Sequence, residues 1–93
     1  MSISKPSQEQ FSKLIKYCQK GQFVNAEKLA VSITKEFPKH PLAWKVLGAV
    51  LKQIGKINES LIVSQKSVQL NPQDTEAHYN LSNTLKELGR LDE

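Results

Sequence analysis

The stretch that decides the fold is PLAWKVLGAVLKQIGKINESLIVSQKSVQLNP, residues 41–72. Its apolar residues recur every three or four positions, which is the period of an amphipathic helix. Gly55 interrupts this pattern near the middle, and Pro72 ends it. Because glycine accepts a sharp turn and proline cannot continue a helix, the stretch predicts two helices joined by a tight turn.

The same pattern recurs along the chain with a period of 34 residues. Gly21, Gly55 and Gly89 share one column of this repeat, and Pro38 and Pro72 share another. A fixed period of this length indicates stacked helix–turn–helix units. The other columns are apolar or small, namely Phe23, Ile57 and Leu91, then Tyr17, Leu51 and Leu85, then Ala26 and Ser60.

The spacing predicts an all-α fold with five helices near residues 7–19, 23–36, 41–54, 57–70 and 75–88. No stretch alternates with period two, so we expect no strands. Short connections make consecutive helices antiparallel neighbours. The predicted core consists of Trp44, Leu47, Leu51, Ile57, Leu61, Leu81 and Leu85.

Length and composition restrict the chain to one small domain of 93 residues. Cys18 is the one cysteine and His40 and His78 are the two histidines, which excludes an internal disulfide and does not make a zinc set. We therefore predict no metal and no cofactor. The longest apolar stretch, residues 46–51, is too short to span a bilayer, and the single thiol favours the cytoplasm.

Charge is distributed unevenly along the chain. Residues 1–73 carry eleven lysines and four glutamates, a net charge of +7, whereas residues 74–93 carry a net charge of −3. The basic part could attract an acidic partner, or it could be a solvated surface. We predict no nucleic acid partner, because the lysines are spread over both helices of each repeat and there is one arginine.

The columns resemble the tetratricopeptide repeat (TPR), a 34-residue helix–turn–helix unit. Residues 77–91 are similar to repeats of O-linked N-acetylglucosamine transferases and of many bacterial TPR proteins. The resemblance implies a right-handed α-solenoid of antiparallel helix pairs, with a disordered segment 1–6, TPR 1 at 7–40, TPR 2 at 41–74 and a partial TPR 3 at 75–93. It is carried by Trp44, Leu47, Gly48, Leu51, Gly55, Ser60 and Pro72, and by Ala77, Tyr79, Asn80, Leu81, Asn83 and Gly89.

Some residues depart from the family pattern. The first repeat has Gln10, Lys13 and Leu14 where the family prefers tryptophan, leucine and glycine, so we expect its first helix to be loosely packed. Ser64 and Ser67 stand where the family usually has an aromatic residue and an alanine, so we expect helix 57–70 to make fewer packing contacts. The third repeat stops at Glu93, before its second helix, which favours a fragment of a longer protein.

The resemblance implies an interaction module that binds a peptide or protein segment on its concave face. Lys45 and Lys52, spaced by seven on one helical face, favour an acidic ligand, and the amides of Asn80 and Asn83 suit a ligand backbone. The predicted contacts are Phe11, Ile15, Lys45, Ala49, Lys52, Tyr79, Asn80 and Asn83. They belong to a wider set of groove positions that the family pattern marks on each first helix. The others are Gln8, Ser12, Cys18 and Gln19, then Leu42, Val46 and Gln53, then Glu76, Lys86 and Glu87.

No catalytic arrangement is predicted, and we expect the chain not to be an enzyme. Cys18 has no neighbouring base, His78 occupies the packing column of Trp44, and His40 is expected to be a solvated linker residue. An alternative is the substrate-recruiting arm of a larger, glycosyltransferase-like enzyme. Another is a self-associating structural element. The apolar face Leu81, Leu85 and Leu88 predicts a homo-oligomer, most simply a twofold dimer or one that exchanges a terminal helix.

Overall fold

The computed structural model describes residues 6–92, with side chains through residue 89. Within this range the chain forms five α-helices and no strand, which confirms the predicted all-α helical repeat. Consecutive helices pack against each other, and α3 also contacts α5. The helices are α1 (Gln8–Gln19), α2 (Phe23–Glu36), α3 (Pro41–Gln53), α4 (Ile57–Leu70) and α5 (Thr75–Asp92).

The handedness of the solenoid and the repeat boundaries stay predictions. In the segment 1–6 that was expected to be disordered, residues 1–5 lie outside the described residues, and Pro6 is buried. Glu93 also lies outside the described residues.

The first two repeats turn in the same way. Gly21 and Gly55 have φ angles of +71° and +85°, a left-handed conformation that glycine adopts without strain. After Gly21, the amide of Gln22 donates to the carbonyl of Tyr17, five residues back, at 2.9 Å, and the turn at Gly55 has the equivalent bond. Such bonds satisfy carbonyls at the end of the first helix and fix where the second helix begins.

The third glycine of this column does not make the turn that the repeat predicted. Helix α5 continues through Gly89 to Asp92, beyond the predicted end at residue 88. Gly89 is not among the positive-φ glycines of the described chain. In the first two repeats a second helix packs back after the turn, whereas at Gly89 the backbone stays in the conformation of α5.

The contact between α3 and α4 depends on small residues. The Ser60 hydroxyl donates a buried hydrogen bond of 2.8 Å to the carbonyl of Gly48. A Cβ atom at position 48 would lie 2.9 Å from Oγ of Ser64, so any larger residue would require a shift. Ser64 and Ser67 are both buried. The expectation that they thin the packing of α4 is therefore wrong, because their small side chains fit between closely packed helices.

The core only partly follows the prediction. Leu47 and Leu51 are buried, whereas Leu85 is 51% exposed, so its assignment to the core is wrong. Leu14 is fully buried in one cluster with Ala26 and Ala30, and it is the one residue of α1 that is buried, so the loose packing expected of this helix stays a prediction. Leu14 is a large residue on a first helix, and the α2 residues in its cluster are small. At the equivalent position of the next repeat the small residue, Gly48, lies on the first helix instead. Trp44, Ile57, Leu61 and Leu81 are half-buried.

Alanine substitutions at two equivalent glycines test these assignments. Gly89→Ala should raise the free energy of unfolding by up to about 1 kcal/mol, because a helical glycine with open space around it gains from a methyl group. Gly55→Ala should lower it by about 1 kcal/mol, since φ of +85° strains alanine. Urea denaturation followed by circular dichroism measures both. Equal effects of the two substitutions would contradict the assigned difference between these glycines.

Candidate functional site

An apolar groove of about 490 Å³ crosses the first helices of the repeats, α1, α3 and α5. We refer to it as the first-helix groove. Helical spacing aligns residues from successive turns along each wall, because positions three and four apart share a face. Its lining residues are Ile15 and Cys18 from α1, Phe23 from α2, Leu42, Lys45, Val46, Ala49, Val50 and Gln53 from α3, and Glu76 and Asn80 from α5.

Four of the eight predicted contact residues line this groove: Ile15, Lys45, Ala49 and Asn80. Lys52 lines a smaller adjoining cleft of about 170 Å³ that shares Ala49, Gln53 and Asn80 with the groove. The two clefts place an apolar floor beside a more polar end. That combination suits a peptide ligand whose apolar side chain packs on the floor and whose backbone forms hydrogen bonds with the polar side chains.

The other predicted contacts lie elsewhere. The Phe11 ring packs against that of His40, with centroids 5.3 Å apart and the planes tilted by 38°. His40 is half-buried and so is not the solvated linker residue that the sequence suggested. Tyr79 is 65% exposed, and neither Tyr79 nor Asn83 lines the groove. A role for these residues in binding stays a prediction.

Two lining residues fall outside the groove positions that the family pattern marks. Phe23 begins α2 and reaches the groove from the turn, and Val50 belongs to the buried side of α3. The apolar column of Phe23, Ile57 and Leu91 was the available signal for Phe23. That column did not predict a position in the groove, because an apolar repeat position indicates that a residue is packed but not which residues it contacts.

Lys45 of the groove and Lys52 of the adjoining cleft are already paired with carboxylates at the start of α5 or within it. Nζ of Lys45 lies 2.8 Å from Asp74 Oδ2 and 3.3 Å from Glu76 Oε1. The hydrogen bond to Asp74 is the main cause that raises the pKa of Lys45, and the same bond lowers the pKa of Asp74. Lys52 lies 3.5 Å from Glu87. An acidic ligand would have to compete with these internal partners.

Asp74 has a second role at the start of α5. Its Oδ1 accepts hydrogen bonds from the amides of Glu76 at 3.0 Å and Ala77 at 3.3 Å, which is the geometry of a helix N-cap. Asp74 therefore joins α3 to the first turn of α5. This connection sets the position of Glu76 and Asn80 at the edge of the groove.

The rings of Trp44 and His78 make equivalent hydrogen bonds in successive repeats. Nε1 of Trp44 donates to the carbonyl of Pro38 at 2.8 Å, and Nε2 of His78 lies 2.7 Å from the carbonyl of Pro72. His78 is exposed, so the packing role expected for it is wrong. Each ring instead ties a first helix to the proline that precedes it.

One comparison with known families identifies part of the chain. Residues 64–93, from the second half of α4 through α5, match the model described as tetratricopeptide repeat. This segment is therefore similar to a tetratricopeptide repeat. No curated protein matches the chain significantly. TPR segments generally mediate protein–protein interaction and are typically not catalytic.

The Cys18 thiol that lines the first-helix groove is not activated by its surroundings. Burial raises the pKa of the Cys18 thiol, which favours the unreactive protonated form. Among the residues the structure describes, no three His, Cys, Asp or Glu side chains cluster to hold a metal ion. None of the described helices combines the length and apolar character needed to cross a bilayer.

The predicted self-association face is smaller than the sequence suggested. Leu81 and Leu88 are half-buried, and only Leu85 of the three is widely exposed. Leu85 stands in the column of Leu51, which is 3% exposed because α4 covers α3. No described helix covers α5 in the same way.

The ion pair at the groove edge makes a pH-dependent prediction. Asp74→Asn should lower stability at pH 7, because asparagine can cap α5 but cannot pair with Lys45. The lowered pKa of Asp74 means that its contribution is complete above the ordinary aspartate pKa and is lost as the pH falls through the folded-state value.

Thermal melts between pH 7 and pH 2 should therefore show the wild type and the variant converging in acid. The control is Glu59→Gln, since Glu59 forms no ion pair among the described residues. A stability difference between Asp74→Asn and the wild type that persists unchanged at pH 2 would refute the ion-pair explanation.

Proposed function

We propose that this protein is a non-catalytic interaction module that binds a segment of a protein partner in the first-helix groove. The observation that carries the proposal is the apolar lining of that groove, with Ile15, Leu42, Val46 and Ala49 on its walls. Leu42 is 42% exposed and Ile15 is 44% exposed, so both are available to a ligand. The TPR segment supports a protein partner rather than a small molecule.

The pairing of the lysines suggests the chemistry of the ligand. Since Lys45 and Lys52 are neutralised by Asp74, Glu76 and Glu87, the groove favours an uncharged, apolar segment over the acidic one that the lysines alone suggested. Asn80 and Gln53 offer amide donors and acceptors to its backbone. A groove of this size should bind weakly, because ordering an extended peptide costs several kcal/mol.

A cytoplasmic location remains part of the proposal, supported by the single free thiol of Cys18. The TPR match indicates no particular class of enzyme, so a role as the recruiting arm of a transferase gains no support from it.

Peptides selected from a random displayed library provide the test. Leu42→Asp should weaken their binding at least about tenfold, equivalent to about 1.4 kcal/mol, because it puts a charge into the apolar groove. Leu42 lies in the first turn of α3, where an acidic residue is compatible with the helix. Isothermal titration calorimetry measures the affinities.

The matched control is Ile62→Asp, which places the same change on an exposed position of α4 outside the groove. Its affinity should stay within about twofold of the wild type, and saturating peptide should protect Cys18 from alkylation. Equal loss in the two variants, or an unprotected Cys18, would move the binding site away from the first-helix groove.

Self-association through α5 is a second candidate, favoured by the exposure of Leu85. The equivalent residue of the preceding repeat, Leu51, is buried. The exposed Leu85 therefore suggests a surface that a second copy of the chain could cover. We expect a dimer at high micromolar concentration and a monomer after Leu85→Glu. Sedimentation equilibrium decides between them, and a monomeric wild type in low salt would rule this candidate out.

A further inference from the structure

The ion pairs of the described chain leave one region of positive charge without partners. The lysines that pair with carboxylates are Lys45, Lys52 and Lys56, all in residues 41–74. In residues 7–40, by contrast, six lysines form no ion pair with a described carboxylate. They are Lys13, Lys16, Lys20, Lys28, Lys35 and Lys39.

Three of these lysines form a stripe on α1. Lys13 and Lys16 lie in α1 and Lys20 is its C-cap residue, and their spacing by three and four residues places them along one side of the helix. In the next repeat the same columns hold Leu47, Val50 and Ile54, which contribute to the core or pack against it. A stripe of this kind is explained by solvation alone, and a binding site requires a more specific arrangement.

A cleft between α1 and α2 provides that arrangement. It has a volume of about 290 Å³ and is lined by Lys13, Tyr17, Asn25, Lys28 and Leu29, and we refer to it as the lysine cleft. Nζ of Lys13 lies 6.0 Å from the centroid of the Tyr17 ring, so this ammonium is held over an aromatic face. Two lysines from different helices thus meet at one concave site with an amide and an apolar floor.

We propose that the lysine cleft binds an acidic segment of a protein partner, with at least two carboxylates beside an apolar side chain. The carboxylates would pair with Lys13 and Lys28, and the apolar side chain would pack on Tyr17 and Leu29. Asn25 adds an amide that can donate to a carboxylate or to the ligand backbone. This second surface shares no residue with the first-helix groove, so the two proposals stand or fall separately.

The charges favour a separate acidic protein over two other occupants. Nucleic acid is disfavoured because the cleft has no arginine for bidentate phosphate contacts and one aromatic ring. A second copy of this chain is disfavoured because its described C-terminal carboxylates, on Asp74, Glu76 and Glu87, already pair with Lys45 and Lys52.

The test uses the full chain and a fluorescein-labelled peptide of sequence Glu-Glu-Leu-Glu-Glu, with binding followed by fluorescence anisotropy in low salt. The double variant Lys13→Glu, Lys28→Glu removes both cations of the cleft. Its control, Lys39→Glu with Lys66→Glu, changes the net charge by the same amount at positions outside the cleft. The groove variant Leu42→Asp serves as a second control.

The proposal predicts that the cleft variant weakens binding more than about tenfold and the charge-matched control less than about threefold. Affinity in the wild type should fall as salt is added, and Leu42→Asp should leave it unchanged.

Equal weakening in both double variants would show non-specific attraction and overturn the proposal, as would no binding to the wild type in low salt. Tighter binding of a labelled oligothymidylate of the same charge through the same two lysines would assign the cleft to nucleic acid instead. Self-association that Lys13→Glu, Lys28→Glu abolishes would assign it to a second copy.

Discussion

The close contact of α3 with α4 is the constraint on which the rest of the structure depends. A Cβ atom at position 48 would come too close to the Ser64 hydroxyl. The Ser60 hydroxyl donates a hydrogen bond to the carbonyl of Gly48. A buried hydroxyl in this position both satisfies a polar group and keeps the helices close. With α4 fixed on α3, helix α5 packs on α4 and also reaches α3. That contact between first helices forms one end of the first-helix groove.

Ion pairs then connect neighbouring repeats without adding charge to the groove. Lys45 of α3 pairs with Asp74, which follows α4 in the sequence. Lys56, just before α4, pairs with Glu27 of α2 at 2.9 Å. Partly exposed pairs of this kind contribute little energy individually, but they restrict how one repeat is oriented on the next. Among the described carboxylates, none pairs with a lysine of α1 or α2.

The sequence predicted where the helices lie and which kinds of residue line the groove. It predicted less well how the last helix ends and which charges are paired. Ile15 and Ala49 share a column and both line the groove, because the period repeats the geometry as well as the residues. The pairing of Lys45 was not predictable, since its partner lies 29 residues away and depends on how the repeats are packed. Gly89 and Leu85 share columns with residues of earlier repeats, yet Gly89 lies within a helix and Leu85 is exposed. A column specifies the residue type and not the backbone conformation or the neighbours of each copy.

The central claim is that α1, α3 and α5 surround one groove, and the single cysteine allows a direct measurement. A nitroxide attached to Cys18 should strongly broaden the amide resonances of Val46, Ala49 and Asn80 across the groove. Those of Ile62 and Lys66 on α4 should be less affected. Strong broadening on α4 with sharp signals from Ala49 and Asn80 would contradict the arrangement of the first helices.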